Sequence, residues 1–308
     1  MRKTAINMIL ELAKKDKNVF FIGSDLSDDI LKQFTKEMPG RFFMEGISEA
    51  NIIGMAARLA LEGKIVYVNT IATFLTRRCF EQIVVDLCLH KADVRLIANG
   101  GGLVYAPLGP THQAIDDLGI LRTIPNMTIV APADTYEMKK IMELTLHYQG
   151  PVYIRVAKGN DPLVTDENSP IEIGKAVLVK EGKDALVVTT GITLKIALDA
   201  AEELKKEGVD IAVLHHHTIK PLDENAIRNY AAKVPIVVSI EEHNIIGGLG
   251  SATAEIIAEA NFVQPKRFRR IAIPDVFADE YGSQSSLMKK YSITAENLIK
   301  TIKELRVK

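Results

Sequence analysis

Short apolar runs alternate with amphipathic helical stretches along almost the whole chain, and this alternation restarts once after a polar interruption. In residues 1–157, runs of apolar residues at 19–22, 42–45, 65–70, 94–98, 128–131 and 152–156 read as strands. Stretches at 4–15, 48–62, 73–90, 113–121 and 134–147 read as helices between them. Strands of four to six residues without a polar face, separated by helices, fit a mainly parallel sheet covered on both sides. The run from 158 to 172 holds Gly159, Asn160, Asp161, Pro162, Asp166, Asn168, Ser169 and Pro170, which punctuate a linker. Strands at 176–180, 185–189, 210–215, 235–240 and 269–273 follow, with helices at 193–207, 223–232, 248–260 and 295–306. The expected fold is therefore α/β in two domains, 1–165 and 172–308, each a mainly parallel sheet flanked by helices.

The 308 residues suffice for two cores, since 47% are apolar. A net charge of −1 with mixed signs argues against nucleic acid and against an anionic membrane surface as partners. No apolar run reaches the length of a membrane span. Cys79 and Cys88 share one helical stretch and read as packing thiols, so a reducing cytoplasm is the expected compartment.

Several local patterns suit chemistry, and each has a plainer explanation. In Gly46-Ile47-Ser48-Glu49, a glycine turn and a candidate cap, Ser48, place Glu49 in a first helical turn beside a strand end. An acid there also simply suits the helix dipole, which is its commoner fate. Gly109-Pro110-Thr111-His112-Gln113 forces a loop in which Thr111 can cap a helix from about Gln113 and hold His112 at a rim. Arg155 and Lys158 past a strand, with Arg2, Arg77 and Arg78 elsewhere, suit a phosphate or are scattered surface charge. Phe74 can stack on a planar heterocycle or fill a core. Glu241-Glu242-His243 before Gly247-Gly248-Leu249-Gly250 lacks the spacing of a dinucleotide fingerprint. Three adjacent histidines, 215–217, alternate faces on a strand and cannot share one ion, so no metal site is expected.

The order of these patterns is more specific than any one of them. Arg41-Phe42-Phe43 through Asn51, Ala56 to Ala60, Thr73-Phe74-Leu75, the Gly109 to Gln113 loop, Ile124 to Met127 and Pro132-Ala133-Asp134 resemble the C-terminal half of transketolase and the matching part of 1-deoxyxylulose-5-phosphate synthase. Ile219 to Asp223 and Glu241-Glu242-His243 with Gly247 to Gly250 resemble the C-terminal domain of that superfamily.

The resemblance implies thiamine diphosphate bound between a pyrimidine domain, this chain, and a pyrophosphate domain. The latter holds Mg2+ through a Gly-Asp-Gly…Asn motif, and Gly-Asp-Gly is absent here. It implies an N-terminal transketolase-like partner subunit, a heterotetramer with two copies of each chain, and sugar or sugar-phosphate substrates. Glu49 matches the glutamate that hydrogen-bonds the aminopyrimidine and promotes deprotonation of the thiazolium carbon; it must be buried enough to keep a proton available. Phe74, with Phe80 and Ile47 as further candidates, matches cofactor contacts. His112 matches a substrate-contacting, proton-transferring histidine. Lys158, Arg155, Arg2 and Arg77 fall near substrate-binding positions. Leu108 stands where transketolases usually carry an aspartate, Gly100 where they often carry a histidine, and Asp29 near a donor-binding serine. These departures imply an altered substrate pocket. The expected activity is two-carbon ketol transfer. A decarboxylating carboligase of the deoxyxylulose-phosphate-synthase or 2-oxoacid-dehydrogenase beta type is the alternative, and an inactive scaffold the second.

Overall fold

Strands that are apolar on both faces need cover on both faces, and the computed structural model shows how the chain supplies it. The structure describes residues 1–24, 29–157, 159 and 161–307. The first domain is built on β1 (Val19–Gly23), β2 (Phe42–Met44), β3 (Ile65–Ile71), β4 (Val94–Asn99), β5 (Thr128–Val130) and β6 (Val152–Val156). They are parallel throughout, in the order β5-β6-β4-β3-β1-β2. Every residue of β4 and β6 is buried. One face packs on α1 (Arg2–Lys15), whose apolar residues Ile6, Ile9, Leu12 and Ala13 recur at helical spacing.

The second domain uses β7 (Val177–Lys180), β8 (Ala185–Thr189), β9 (Ile211–His215), β11 (Ile236–Asn244) and β12 (Arg267–Ile273), ordered β12-β11-β8-β9-β7. All pairs are parallel except β7 with β9. Both sheets match the expected α/β class. Between β9 and β11, however, lies β10 (Thr218–Lys220), which pairs antiparallel with β5 and extends the first domain's sheet to seven strands. Its three residues follow immediately on the histidine run, too short and too polar to read as a strand. The two domains therefore share hydrogen-bonded sheet as well as packed side chains. The Lys220 ammonium reinforces the join by donating to the carbonyls of Arg122 (2.8 Å) and Ile124 (2.5 Å).

Two helical expectations need correction. The stretch 73–90 is not a single α-helix: Phe74–Arg78 and Ile83–Leu89 wind with the wider π pitch on either side of Phe80–Gln82. Such turns admit an extra residue and re-aim the side chains that follow. The helix expected from 113 starts later, at Asp117–Arg122, because Gly102 and Ala114 exchange two backbone hydrogen bonds (2.9 and 3.1 Å) and pinch residues 103–113 into a closed loop. Thr111 therefore caps no helix; its hydroxyl meets the Nδ1 of His112 at 2.9 Å. Ser48 does stand at the N-cap of α3 (Glu49–Leu61), but its hydroxyl donates backward to the carbonyl of Glu45 (3.0 Å).

The histidine run is structural. His215 Nε2 lies 3.0 Å from Glu137 Oε2, and His217 Nδ1 lies 3.0 Å from the Thr218 hydroxyl. Burial pulls the pKa of His216 down to about 3 and that of His217 to about 4, so both are neutral near pH 7. Among the described residues, no cluster of three His, Cys, Asp or Glu is arranged to hold a metal ion.

Candidate active site

In an open parallel sheet the ligand crevice opens where neighbouring strands leave in opposite directions, at their carboxyl ends. Here that point lies between β1 and β3: the chain passes from β1 outward to β2, then back across to β3. Ser24 follows β1 and Thr70 lies near the end of β3, and their hydroxyls meet at 2.8 Å across the crevice. Glu49 sits on top of them. Gly46, in the left-handed region at φ +68°, turns the chain after β2 so that α3 begins with Glu49.

The Glu49 side chain is only 2% exposed. Thr70 donates its hydroxyl to Oε1 at 3.4 Å, and Arg78 donates Nη1 to Oε2 at 2.6 Å. The Arg78 guanidinium lies 4.2 Å from the centroid of the Phe74 ring, and that ring stands edge-on to His112 at 5.2 Å. Glu49, Arg78, Phe74 and His112 thus form one continuous line, although three separate segments contribute them. Buried polar atoms flank this line in sequence without a hydrogen-bond partner: the hydroxyl of Thr73 and both amide atoms of Gln113. Unpaired buried polar groups are costly and call for a ligand or ordered water. A buried carboxyl, an aromatic face and a histidine fit a planar heterocycle with ring nitrogens and an amino group.

The chain leaves this site open. Cavities of about 550 and 540 Å³ are lined by other residues and include none of Glu49, Phe74 and His112. Ile47 is 71% exposed, Leu108 49% and Phe80 38%. These three large apolar side chains face solvent in the free chain.

The basic candidates separate. Arg155 is buried and spent: it donates to both oxygens of Asp117 (2.8 and 3.0 Å) and to the carbonyls of Ala114 (3.0 Å) and Glu242 (2.9 Å). Burial works against its charge, but the Asp117 and Glu242 carboxylates outweigh burial and raise its pKa. It is an internal tie in this chain, and the Nε and Nη2 donors that make it reach a substrate phosphate only if these bonds open. Arg77 is bonded to Asp116 (2.9 and 3.1 Å) and to the Gln113 carbonyl (3.3 Å), bracing the His112 loop. Arg2 opens α1, next to the terminal amine that meets Asp161 at 3.4 Å. Lys158 and the side chain of Asp29 lie outside the described residues.

The Glu241-Glu242-His243 motif works inside the chain. Glu241, in β11, caps the helix that follows, Leu249–Glu259, by accepting from the backbone amides of Leu249 and Gly250 (both 2.7 Å). Glu242 Oε1 accepts from the amide of Leu103 (2.8 Å) and from Gln284 Nε2 (2.9 Å), tying the His112 loop to the second domain. His243 Nε2 accepts from the amide of Gly119 (3.1 Å). The cysteines are buried free thiols; burial, helped by the Glu49 carboxylate, pushes Cys79 up to about 12, and burial pushes Cys88 up to about 12.

Sequence reasoning misses two contributors. Arg78 reads there as a phosphate candidate or scattered charge and not as a partner of Glu49, and its spacing of four from Phe74 is the available signal. Tyr281 carries no signal: its ring lies 3.0 Å from where a Cβ on Gly109 would stand, so the second domain reaches the loop beside Leu108. Gly100, at φ +78°, has no room for a side chain, because a Cβ there would fall 2.1 Å from the Tyr105 ring.

The transketolase pyrimidine-binding domain, as a family, matches residues 1–162, and the transketolase C-terminal domain matches residues 174–298. The chain belongs to the transketolase family. It is 36% identical over 306 residues to the 6-deoxy-6-sulfo-D-fructose transketolase subunit SqwH of Clostridium sp. (strain MSTE9), covering 99% of this chain and 94% of that one. It is 35% identical to a subunit of the apulose-4-phosphate transketolase of Phocaeicola vulgatus, covering 98% and 96%. The 1-deoxy-D-xylulose-5-phosphate synthase of Heliobacterium modesticaldum matches 96% of this chain at 35% identity, but only 46% of its own length. A split-gene transketolase, solved as an inactive beta4 tetramer, superimposes with a TM-score of 0.88 at 34% identity, covering 98% and 96%. Transketolases are transferases, the relatives named as subunits act with a second chain, and thiamine diphosphate is the family's cofactor. Among the described residues, no helix is long and apolar enough to cross a membrane.

Proposed function

We propose that this chain supplies the pyrimidine half of a thiamine-diphosphate site and transfers a two-carbon ketol unit between sugar or sugar-phosphate substrates together with a separate subunit. That partner carries the Gly-Asp-Gly…Asn motif and holds the Mg2+ and the diphosphate. The observation that carries this reading is the buried Glu49 carboxyl at a sheet switch point, aligned with Phe74 and His112.

When bound, the cofactor supplies a carbon nucleophile and an electron sink. This chain's residues provide placement and proton handling. Glu49 engages the aminopyrimidine, Phe74 offers its ring, and Ile47 and Phe80 border them. His112, held by Thr111 at Nδ1, leaves Nε2 free to exchange a proton with a donor hydroxyl or carbonyl. Burial of Glu49 excludes water from the carboxyl and strengthens its hydrogen bonds. Arg2 and Lys158 are the basic groups left for a phosphate or another anionic substrate end, and Arg77 joins them only by leaving Asp116.

The pocket is specialised. Tyr105 fills the space beside Gly100, Leu108 offers no hydrogen bond, and Tyr281 leans on Gly109. Relatives named for sulfofructose and apulose-4-phosphate support a modified sugar over the ordinary ketose phosphates. A half-site and an open apolar rim support assembly with the partner, two copies of each chain making two sites. The inactive state of the related beta4 tetramer is in keeping with this. A cytoplasmic compartment suits two buried free thiols.

The deoxyxylulose synthase likeness favours one second reading, decarboxylating carboligation of a 2-oxoacid. Glu49, Phe74 and His112 held in one line speak against an inert scaffold. Assay of the co-expressed pair decides among them: ketol transfer from ketose donors, with a four-chain particle in sedimentation, is expected. Release of CO2 from pyruvate would favour the second reading, and a one-to-one particle would contradict the assembly.

A further inference from the structure

Arg78 occupies both of the positions that the site needs for its cofactor. Its Nη1 lies 2.6 Å from Oε2 of Glu49, a charge-assisted hydrogen bond at the short end of the range. Its guanidinium carbon lies 4.2 Å from the centroid of Phe74, well inside cation–π distance, so the cation covers the ring face. Glu49 is 2% exposed and Arg78 44%: the carboxyl is fixed in the fold while the cation reaches it from the rim. Backbone geometry explains the reach. Phe74–Arg78 is a π-helical turn ending at Cys79, and it brings residues 74 and 78 onto one face at the mouth of the crevice. Arg77, its neighbour, points elsewhere and is engaged by Asp116 and Gln113.

We infer that Arg78 is a built-in placeholder that keeps the site self-paired until the aminopyrimidine displaces it. This rests on the reading of Glu49 and Phe74 as cofactor contacts. An unpartnered carboxylate in a nearly dry crevice is costly, and the free chain avoids that cost by closing Arg78 onto it. The heterocycle then enters by exchange: its polar edge replaces the guanidinium on Glu49, and its flat face replaces the guanidinium on Phe74. Arg78 swings to the rim, where nearly half of its side chain is already solvated. The closed form is a competitor, so apparent affinity falls by the fraction of sites that are open. Arg78 is thus a positioning residue that tunes cofactor occupancy, and Glu49 remains a cofactor contact.

Calorimetric titration of thiamine diphosphate with Mg2+ into the co-expressed two-subunit complex tests this without any turnover. Arg78→Met removes the competing cation and keeps an apolar stem, and the expected result is a dissociation constant lower by about tenfold. Arg78→Lys keeps a charge without the planar fork and should fall between the two. Weaker or unchanged binding in Arg78→Met, with wild type binding normally, overturns the placeholder and leaves the functional reading intact. A wild-type complex that binds no thiamine diphosphate overturns both.

Discussion

Buried charges around this site are each answered by another group. Glu49 has Arg78 and Thr70, and Arg155 has Asp117, which also accepts from the Tyr153 hydroxyl at 2.8 Å. Removing one member of such a pair strands the other, which costs more than the pair contributes. Arg155→Met should therefore destabilise the protein by about 3–5 kcal/mol, because Asp117 is left buried and uncompensated. Urea denaturation measures this, and a loss under about 1 kcal/mol would show that the tie is incidental. The double change Arg155→Met with Asp117→Leu should recover part of the loss. Arg155 also shows where residue-level reading stops. A basic residue past a strand is visible in the sequence, but its partner is 38 positions away, and no local pattern announces it.

Elements carry the site to its place. The apolar runs of β1, β3, β4 and β6 are legible because both faces are buried, which writes a continuous hydrophobic signature. The π-helical turns are not, because apolar spacing in a short stretch does not separate a wide pitch from an ordinary one. β10 is hidden because its pairing belongs to the other domain's sheet. The 103–113 loop is held at its base by Gly102 and Ala114 and at its start by Glu242. Burial, against the opposing pull of Arg155, raises the Glu242 carboxyl from 4.5 to about 7. The protonated form is thus favoured by folding. The stability this contributes is complete below the ordinary carboxyl range and is lost as pH rises through about 7. Glu242→Gln cannot titrate. Relative to wild type it should gain about 3 kcal/mol between pH 4.5 and pH 8. Denaturant melts across that range check it; a constant offset at all pH values would mean that folding leaves the Glu242 carboxyl at its ordinary pKa.

At the scale of the molecule, two α/β domains joined through β10 present an incomplete site at one open face. The family resemblance is legible because motif order runs nearly end to end, while the geometry of substrate selection is not. Tyr281 reaches Gly109 from the second domain, a contact with no fixed spacing in the sequence. We propose that Glu49 activates a cofactor shared with a second chain. Exchange of the thiazolium C2 proton of thiamine diphosphate with deuterated solvent, followed by quenched-flow NMR, reads that activation directly. The two-subunit complex should accelerate exchange strongly, this chain alone should not, and Glu49→Gln in the complex should slow it by about 10²–10⁴-fold. Undiminished exchange in the Glu49→Gln complex would contradict the role given to this carboxyl.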